Sequence, residues 1–181
     1  MRITISGPPG SGKTTACKLL AEKLGFEYVI SGNVFREMAQ KLGLSLADFG
    51  KLCESDPEYD RMIDDSMMTT ALTKQDIIVE GRLAGHLLAR QDVISFKTLI
   101  DAEPRIRASR ISEREGEDLD RATEDMLERE RSEAVRYMQY YHIDITDKSV
   151  YDLIVDSGDK TPEQIVDLIV KGMEEFIRPA C

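Results

Sequence analysis

The stretch Gly7-Pro8-Pro9-Gly10-Ser11-Gly12-Lys13-Thr14 decides the reading of this chain. It meets the phosphate-loop pattern G-x-x-x-x-G-K-[ST] at every fixed position. Its flanks suit it. Met1-Arg2-Ile3-Thr4-Ile5-Ser6 is short and β-branched, as a strand should be. Thr15 to Leu24 reads as a helix, with Leu20 and Leu24 four apart. The glycines let successive backbone N–H groups converge on phosphate oxygens, and the helix start adds partial positive charge. The loop is therefore a candidate cradle for a nucleoside triphosphate. Lys13 would reach the β- and γ-phosphates, and the Thr14 hydroxyl a Mg²⁺ ion.

Outward from the loop, strand-like and helix-like segments alternate. Phe26–Ile30, Asp76–Glu80, Ser95–Asp101 and Asp152–Asp156 read as four further strands. Ser31-Gly32-Asn33 offers an N-cap for a helix to about Leu42. Ser45 caps a second short helix, and Asp56-Pro57 opens a third with Pro57 near its first position. Glu103 to about Arg114 is helical, Gly116-Glu117-Asp118 breaks it, and Arg121–Tyr141 forms a long helix. Thr161-Pro162-Glu163-Gln164 caps a terminal helix. Such alternation predicts an α/β fold: a five-stranded parallel sheet with helices on both faces. Ligands then bind at the C-terminal strand edge, where the glycine loop, Ser31–Arg36 and Glu80–Arg82 all fall. Residues 31–75 and 102–150 are too long for simple crossovers and are expected to cap that edge as helices.

The 181 residues suit a single domain. A net charge of −10 argues against broad attraction to nucleic acid or anionic membranes, yet leaves room for a small basic cleft. Cys17, Cys53 and Cys181 are odd in number and far apart, with no metal or disulfide spacing, which favours a reducing cytoplasm. A first strand at Met1 predicts no secretory leader, and no apolar run is long enough to span a bilayer.

Residues 98–147 hold eight arginines and no lysine. A planar fork of donors suits bidentate phosphate contacts, so the bias points to phosphate ligands. The competing reading is a salt-bridged surface, supported by the i, i+4 pairs Glu117/Arg121 and Asp125/Arg129. Arg129, Glu133 and Arg136 share one helix face, while Leu127, Ala134, Met138 and Tyr141 form a stripe roughly opposite. The stripe is expected to pack inward and the triplet to face water or a cleft. His86 and His142 have no metal-ligand pattern and read as structural.

The chemistry narrows further. No H-R-D catalytic loop is present, as a hydroxyl acceptor would favour. A phosphate acceptor needs no base, because its second pKa is about 6. Its difficulty is bringing two anions together, which arginines, Lys13 and Mg²⁺ would relieve.

Five segments add a resemblance that runs over essentially the whole chain: residues 7–15, Ser31-Gly-Asn-Val-Phe-Arg36, Glu80-Gly-Arg-Leu-Ala-Gly85, Arg110-Ile-Ser-Glu-Arg114 and Arg129 to Arg136. Tyr140 to Asp147 adds to them. Together they resemble the nucleoside monophosphate kinase family, and within it the compact cytidylate kinases of the archaeal type. The resemblance implies one kinase domain over 1–181, with residues 31–75 binding the acceptor and about 110–136 forming a lid. It implies ATP as donor, held by Gly7 through Thr15 and by Arg110 beside the adenine, and CMP or dCMP as acceptor. Ser31, Arg129 and Glu133 would lie at the base end, and Arg36 and Arg82 on the acceptor phosphate. Arg114, Arg129 and Arg136 would join Lys13 on the transferred group, and Glu80 would join Thr14 at Mg²⁺. Glu133 would select cytosine through its amino group, or else only brace its arginine neighbours. Glu80 and Glu133 stand where bacterial cytidylate kinases carry aspartate. A cytoplasmic monomer is implied. AMP or UMP as acceptor, and a non-kinase ATP-operated switch or assembly factor, remain the alternatives.

Overall fold

The strands β1 (Arg2–Ser6), β2 (Glu27–Ile30), β3 (Ile77–Glu80), β4 (Phe96–Asp101) and β5 (Leu153–Asp156) all run parallel in the computed structural model. Their order across the sheet is β2-β3-β1-β4-β5. Residues 1–178 are described, Ala47 by its backbone only, so Cys181 lies outside the described residues. Among them, no helix is long and apolar enough to cross a membrane.

Side-chain alternation along each strand divides the core. Ile3, Ile5, Ile78 and Ile100 point to one face, against α1 (Lys13–Leu24) and α8 (Pro162–Ile177). Ile77 and Val79 point to the other, where α4 (Pro57–Thr73) and α5 (Ala84–Arg90) cover them. Both faces are apolar because both are buried, as a parallel sheet requires. Each such isoleucine or leucine contributes about 1.5–3 kcal/mol of burial. α2 (Ser31–Lys41) and α3 (Leu46–Ser55) extend the second face. α6 (Pro104–Glu115) and α7 (Leu119–Tyr141) pack as a pair beyond β4 through Ala108, Ile111, Ala122 and Met126.

The caps follow the sequence closely. Ser45 Oγ accepts from the Asp48 N–H, Asp56 from Glu58, and Asp118 from Asp120. Thr161 and Gln164 complete a reciprocal box at the start of α8.

Three expectations are corrected. Ser31 is not an N-cap: α2 starts directly from Ile30 at the end of β2, and Ser31 is its first helical residue. That frees the hydroxyl to face Gly81, where an added Cβ would lie 2.8 Å from Ser31 Oγ. α5 was not expected, because seven residues give too little periodicity to read. The third concerns α7. Leu127 and Met138 are exposed, while Met126, Glu133, Arg136 and Tyr137 are buried. The helix turns its charged face inward because arginines and carboxylates there pair with one another and line a cleft. The pair Asp125/Arg129 gives way to Arg129–Glu133, with Asp125 facing Arg121 instead.

Candidate active site

Every strand delivers its C-terminal end to one edge, and the loop after β1 sits at its centre. Gly7 has φ 151° and Gly10 φ 75°, backbone that L side chains rarely adopt. Close approach requires glycine as well. A Cβ on Gly7 would lie 2.0 Å from the Ile100 carbonyl oxygen, and one on Gly10 2.5 Å from that of Arg107. The loop is thus clamped against the end of β4 and the start of α6. Among the described residues no side chain caps α1, so its first N–H groups are left to a ligand.

A cavity of about 390 Å³ opens over this loop. Gly10, Gly12, Lys13, Thr14 and Thr15 line it, and Pro9 reaches its wall, whereas Gly7, Pro8 and Ser11 form the loop beneath. Lys13 Nζ donates to the Pro8 carbonyl at 2.8 Å. Burial pushes its ammonium down to about 8, with Glu80 pulling up and Arg82 and Arg129 pushing down. A phosphate would relieve that strain by supplying negative charge. Thr14 Oγ1 donates to Glu80 Oε2 at 3.0 Å, so a hydroxyl and a carboxylate sit side by side at the cavity floor. Arg110 and Arg114 close the far side. Arg110 is fixed by the Ser157 carbonyl at 2.7 Å and the Ser157 hydroxyl at 3.0 Å. Arg114 is exposed and, among the described residues, pairs only with Glu115.

A second cavity, about 480 Å³, lies between the 31–75 helices and α7. The two share one wall: Ser31, Gly32, Arg36, Arg82 and Arg129 line both. Glu133 stands behind that wall. Its Oε1 accepts from Arg129 Nε at 2.9 Å, and its Oε2 lies 2.5 Å from Arg82 Nε as an ion pair. Burial alone would raise its carboxyl, yet Arg82 and Arg129 hold it down at about 2. Arg36 is tethered to Asn33 Oδ1 at 2.6 Å and otherwise exposed to the cleft.

Arg136 is not brought to the phosphate loop. It lines the second cavity only, where its Nε donates to Asp60 Oδ2 at 2.8 Å and its Nη1 to Ser132 Oγ at 2.7 Å. Sequence reasoning missed Asp60 and its neighbour Asp64, both on the cavity wall. Their i, i+4 spacing in a helix was the available signal. It also missed Arg107, which is buried and joins the Ala102 and Pro9 carbonyls to Glu130 of α7. Nothing in the spacing of that residue marks it apart from its neighbours. His86 packs edge-on against Tyr151 and His142 ends α7; neither lines either of these two cavities. Tyr140 donates to the Cys53 and Glu54 carbonyls, tying α7 to α3.

The arrangement can hold two anionic ligands with their charged ends at one wall of guanidiniums. On a chain of net charge −10, that concentration of positive charge is local and purposeful.

Comparison with known proteins agrees in kind. The pattern of the cytidylate kinase-like family matches residues 2–159. A cytidylate kinase from Archaeoglobus fulgidus is 43% identical over 174 residues, 96% of this chain and 95% of that protein. One from Methanosarcina mazei is 44% identical over 181 residues, 99% of each chain. Among solved structures, an uncharacterized protein from Eubacterium ventriosum superimposes with a TM-score of 0.72 at 20% identity, covering 96% of this chain and 98% of that one. Shikimate kinase from Aquifex aeolicus gives 0.57 at 21%, covering 97% and 98%. These two share the fold.

Proposed function

The chain belongs to the cytidylate kinase-like family, and on that premise we propose how its two cavities divide the work of a nucleotide kinase. The protein transfers the γ-phosphoryl group of ATP to CMP or dCMP, giving ADP and CDP or dCDP. ATP occupies the loop cavity, with its phosphates on Gly10 through Thr15 and its adenine beside Arg110. The monophosphate occupies the second cavity, with its phosphate on Arg36 and Arg82. The observation that carries this reading is the shared wall of Ser31, Gly32, Arg36, Arg82 and Arg129. A donor and an acceptor bound on its two sides meet at their phosphates.

The chemistry then needs positioning and charge, since a phosphate acceptor is already ionised. Lys13 draws charge from the oxygens between the β- and γ-phosphates. Arg82 and Arg129 screen the two anions from each other, and Arg114 closes over the transferred group. Glu133 braces Arg82 and Arg129, both of its oxygens being engaged by them. Arg136, bound to Asp60, serves the base end of the acceptor rather than the reacting phosphates. Mg²⁺ fits the floor of the site: Thr14 and Glu80 offer two hard oxygens that would hold it together with the phosphates. Bound there, the ion supplies charge neutralisation of the triphosphate.

In this reading the chain is one kinase domain, with residues 31–75 binding the acceptor and about 110–136 acting as the lid. It works as a cytoplasmic monomer, since one chain builds both cavities and Cys17 and Cys53 are free thiols. The test is coupled ADP release with ATP and Mg²⁺, with and without CMP. Release that requires CMP is expected. Equal release without it would indicate an ATP-operated switch, which needs no second cavity.

A further inference from the structure

The seam between α6 and α7 is filled by Ala108, Ile111, Ala122 and Met126. Two alanines and a flexible methionine set how close the helices come, but they hold rotation about the helix axis only weakly. One polar contact in the seam is of another kind. Arg107 of α6 is buried, and its guanidinium reaches three parts of the chain at once. Its Nε donates to the Ala102 carbonyl at 2.9 Å, just past β4, with Asp101 Oδ1 4.0 Å away. Its Nη1 donates to the Pro9 carbonyl of the phosphate loop at 3.2 Å. The same nitrogen pairs with Glu130 of α7 and lies 3.6 Å from Met126 Sδ. Met126 and Glu130 are i, i+4 neighbours, so both mark the side of α7 that faces α6.

Glu130 is the immediate neighbour of Arg129, which lines both cavities and donates to Glu133. Successive helix residues project about 100° apart, so fixing Glu130 against Arg107 also fixes the direction in which Arg129 leaves the helix. We propose that Arg107 and Glu130 are positioning residues for phosphoryl transfer: their pair holds α7 in rotation against the phosphate loop, so that Arg129 meets the reacting phosphates. This rests on the reading of the two cavities as donor and acceptor sites. Neither Arg107 nor Glu130 lines either of these cavities, so the pair acts through Arg129 and not on a nucleotide. A buried ion pair adds little net stability, because desolvation offsets the attraction; what it supplies here is register. Register matters because a misplacement of about 1 Å can cost on the order of 10²-fold in rate.

Arg107 is anchored independently of its partner. Its backbone also meets the loop, since a Cβ on Gly10 would lie 2.5 Å from the Arg107 carbonyl oxygen. With Glu130 gone, the guanidinium keeps the Ala102 and Pro9 carbonyls, and only the tie to α7 is cut. Glu130 is half-buried, and alanine in its place preserves the helix. Glu130 is therefore the residue to change.

The experiment measures kcat and KM for ATP and CMP in the wild type, Glu130→Ala, Glu130→Gln, Arg129→Ala and the double variant of Glu130→Ala with Arg129→Ala. Glu130→Ala should lower kcat by at least about tenfold while both KM values stay within about threefold. A kcat within about twofold of wild type overturns the proposal. Glu130→Gln, whose amide oxygen accepts the same bond at the same reach, should keep kcat within about threefold of wild type. A glutamine variant as slow as the alanine one overturns the tether in favour of a charge acting through space. In the Arg129→Ala background, Glu130→Ala should cost less than about twofold more, because the group it positions is gone. Losses that simply multiply are what a general loosening of the fold would give, and they overturn action through Arg129. Thermal melting establishes that the variants are folded, and if the alanine variant does not fold, Glu130→Ser runs through the same cycle. A wild type that does not phosphorylate CMP would strike the functional reading itself. A wild type that does, with Glu130→Ala unchanged, strikes only the role of the pair.

Discussion

Replacing Glu133 with glutamine removes the negative charge that bridges Arg82 and Arg129. Burial works against that charge, but the two guanidiniums outweigh it and hold the carboxyl at about 2, against an ordinary 4.5. At about 1.4 kcal/mol per unit, the difference stabilises the folded chain by about 3 kcal/mol at neutral pH. The folded-state value is the depressed one. The contribution is therefore complete above about pH 4.5 and fades as pH falls toward 2. Glu133→Gln forfeits it and leaves Arg82, mostly buried, without its partner, a change of the same order. Urea unfolding of wild type and variant at pH 7 and pH 3 measures it. The gap should be about 3 kcal/mol at pH 7 and less than half of that at pH 3, since other carboxylates cancel in the comparison. A gap that does not change with pH would refute the ionic bracing of this wall. Bracing also predicts that CMP and UMP turnover fall by similar factors in Glu133→Gln. A selective loss of CMP would return base reading to Glu133.

Three further changes probe separate parts of the site. Lys13→Ala should lower kcat by about 10²–10³ with melting unchanged, and near-normal turnover in the folded variant would remove the loop from catalysis. Arg36→Ala and Arg82→Ala should weaken CMP binding while leaving ATP binding intact, which separate calorimetric titrations of each nucleotide can show. Equal loss of both would mean that the cavities are misassigned. Gly7→Ala sets a methyl 2.0 Å from the Ile100 oxygen, so ATP affinity should be lost along with several degrees of melting temperature, and an unaffected variant would deny the clamp.

The sheet was legible because its signals are local. Each strand is a short, largely apolar run, two of them closed directly by glycine at Gly7 and Gly81, and the structure keeps each within a residue or so of its expected bounds. The phosphate loop was legible for the same reason, since its pattern is contiguous. α7 was misread because periodicity ranks faces by apolarity. It does not register that arginines and carboxylates from three separate segments, Arg82, Arg129 and Glu133 with Asp60 and Arg136, neutralise one another in a cleft. Asp60 and Asp64 escaped notice because their significance arises only when α4 packs beside α7. The resemblance alone places Arg136 at the reacting phosphates; its partner Asp60, 76 residues earlier, holds it on the wall of the second cavity, away from the phosphate loop.

The central claim is that the second cavity admits a cytidine monophosphate as phosphoryl acceptor from ATP. A single competition tests it most directly: ATP and Mg²⁺ with an equimolar mixture of CMP, dCMP, UMP and AMP, the diphosphate products resolved by mass. CDP and dCDP should appear first and dominate, with UDP well behind and diphosphate from AMP no more than ATP consumption itself supplies. A mixture converted chiefly at AMP or UMP, or ATP consumed with no new diphosphate from any acceptor, would contradict it.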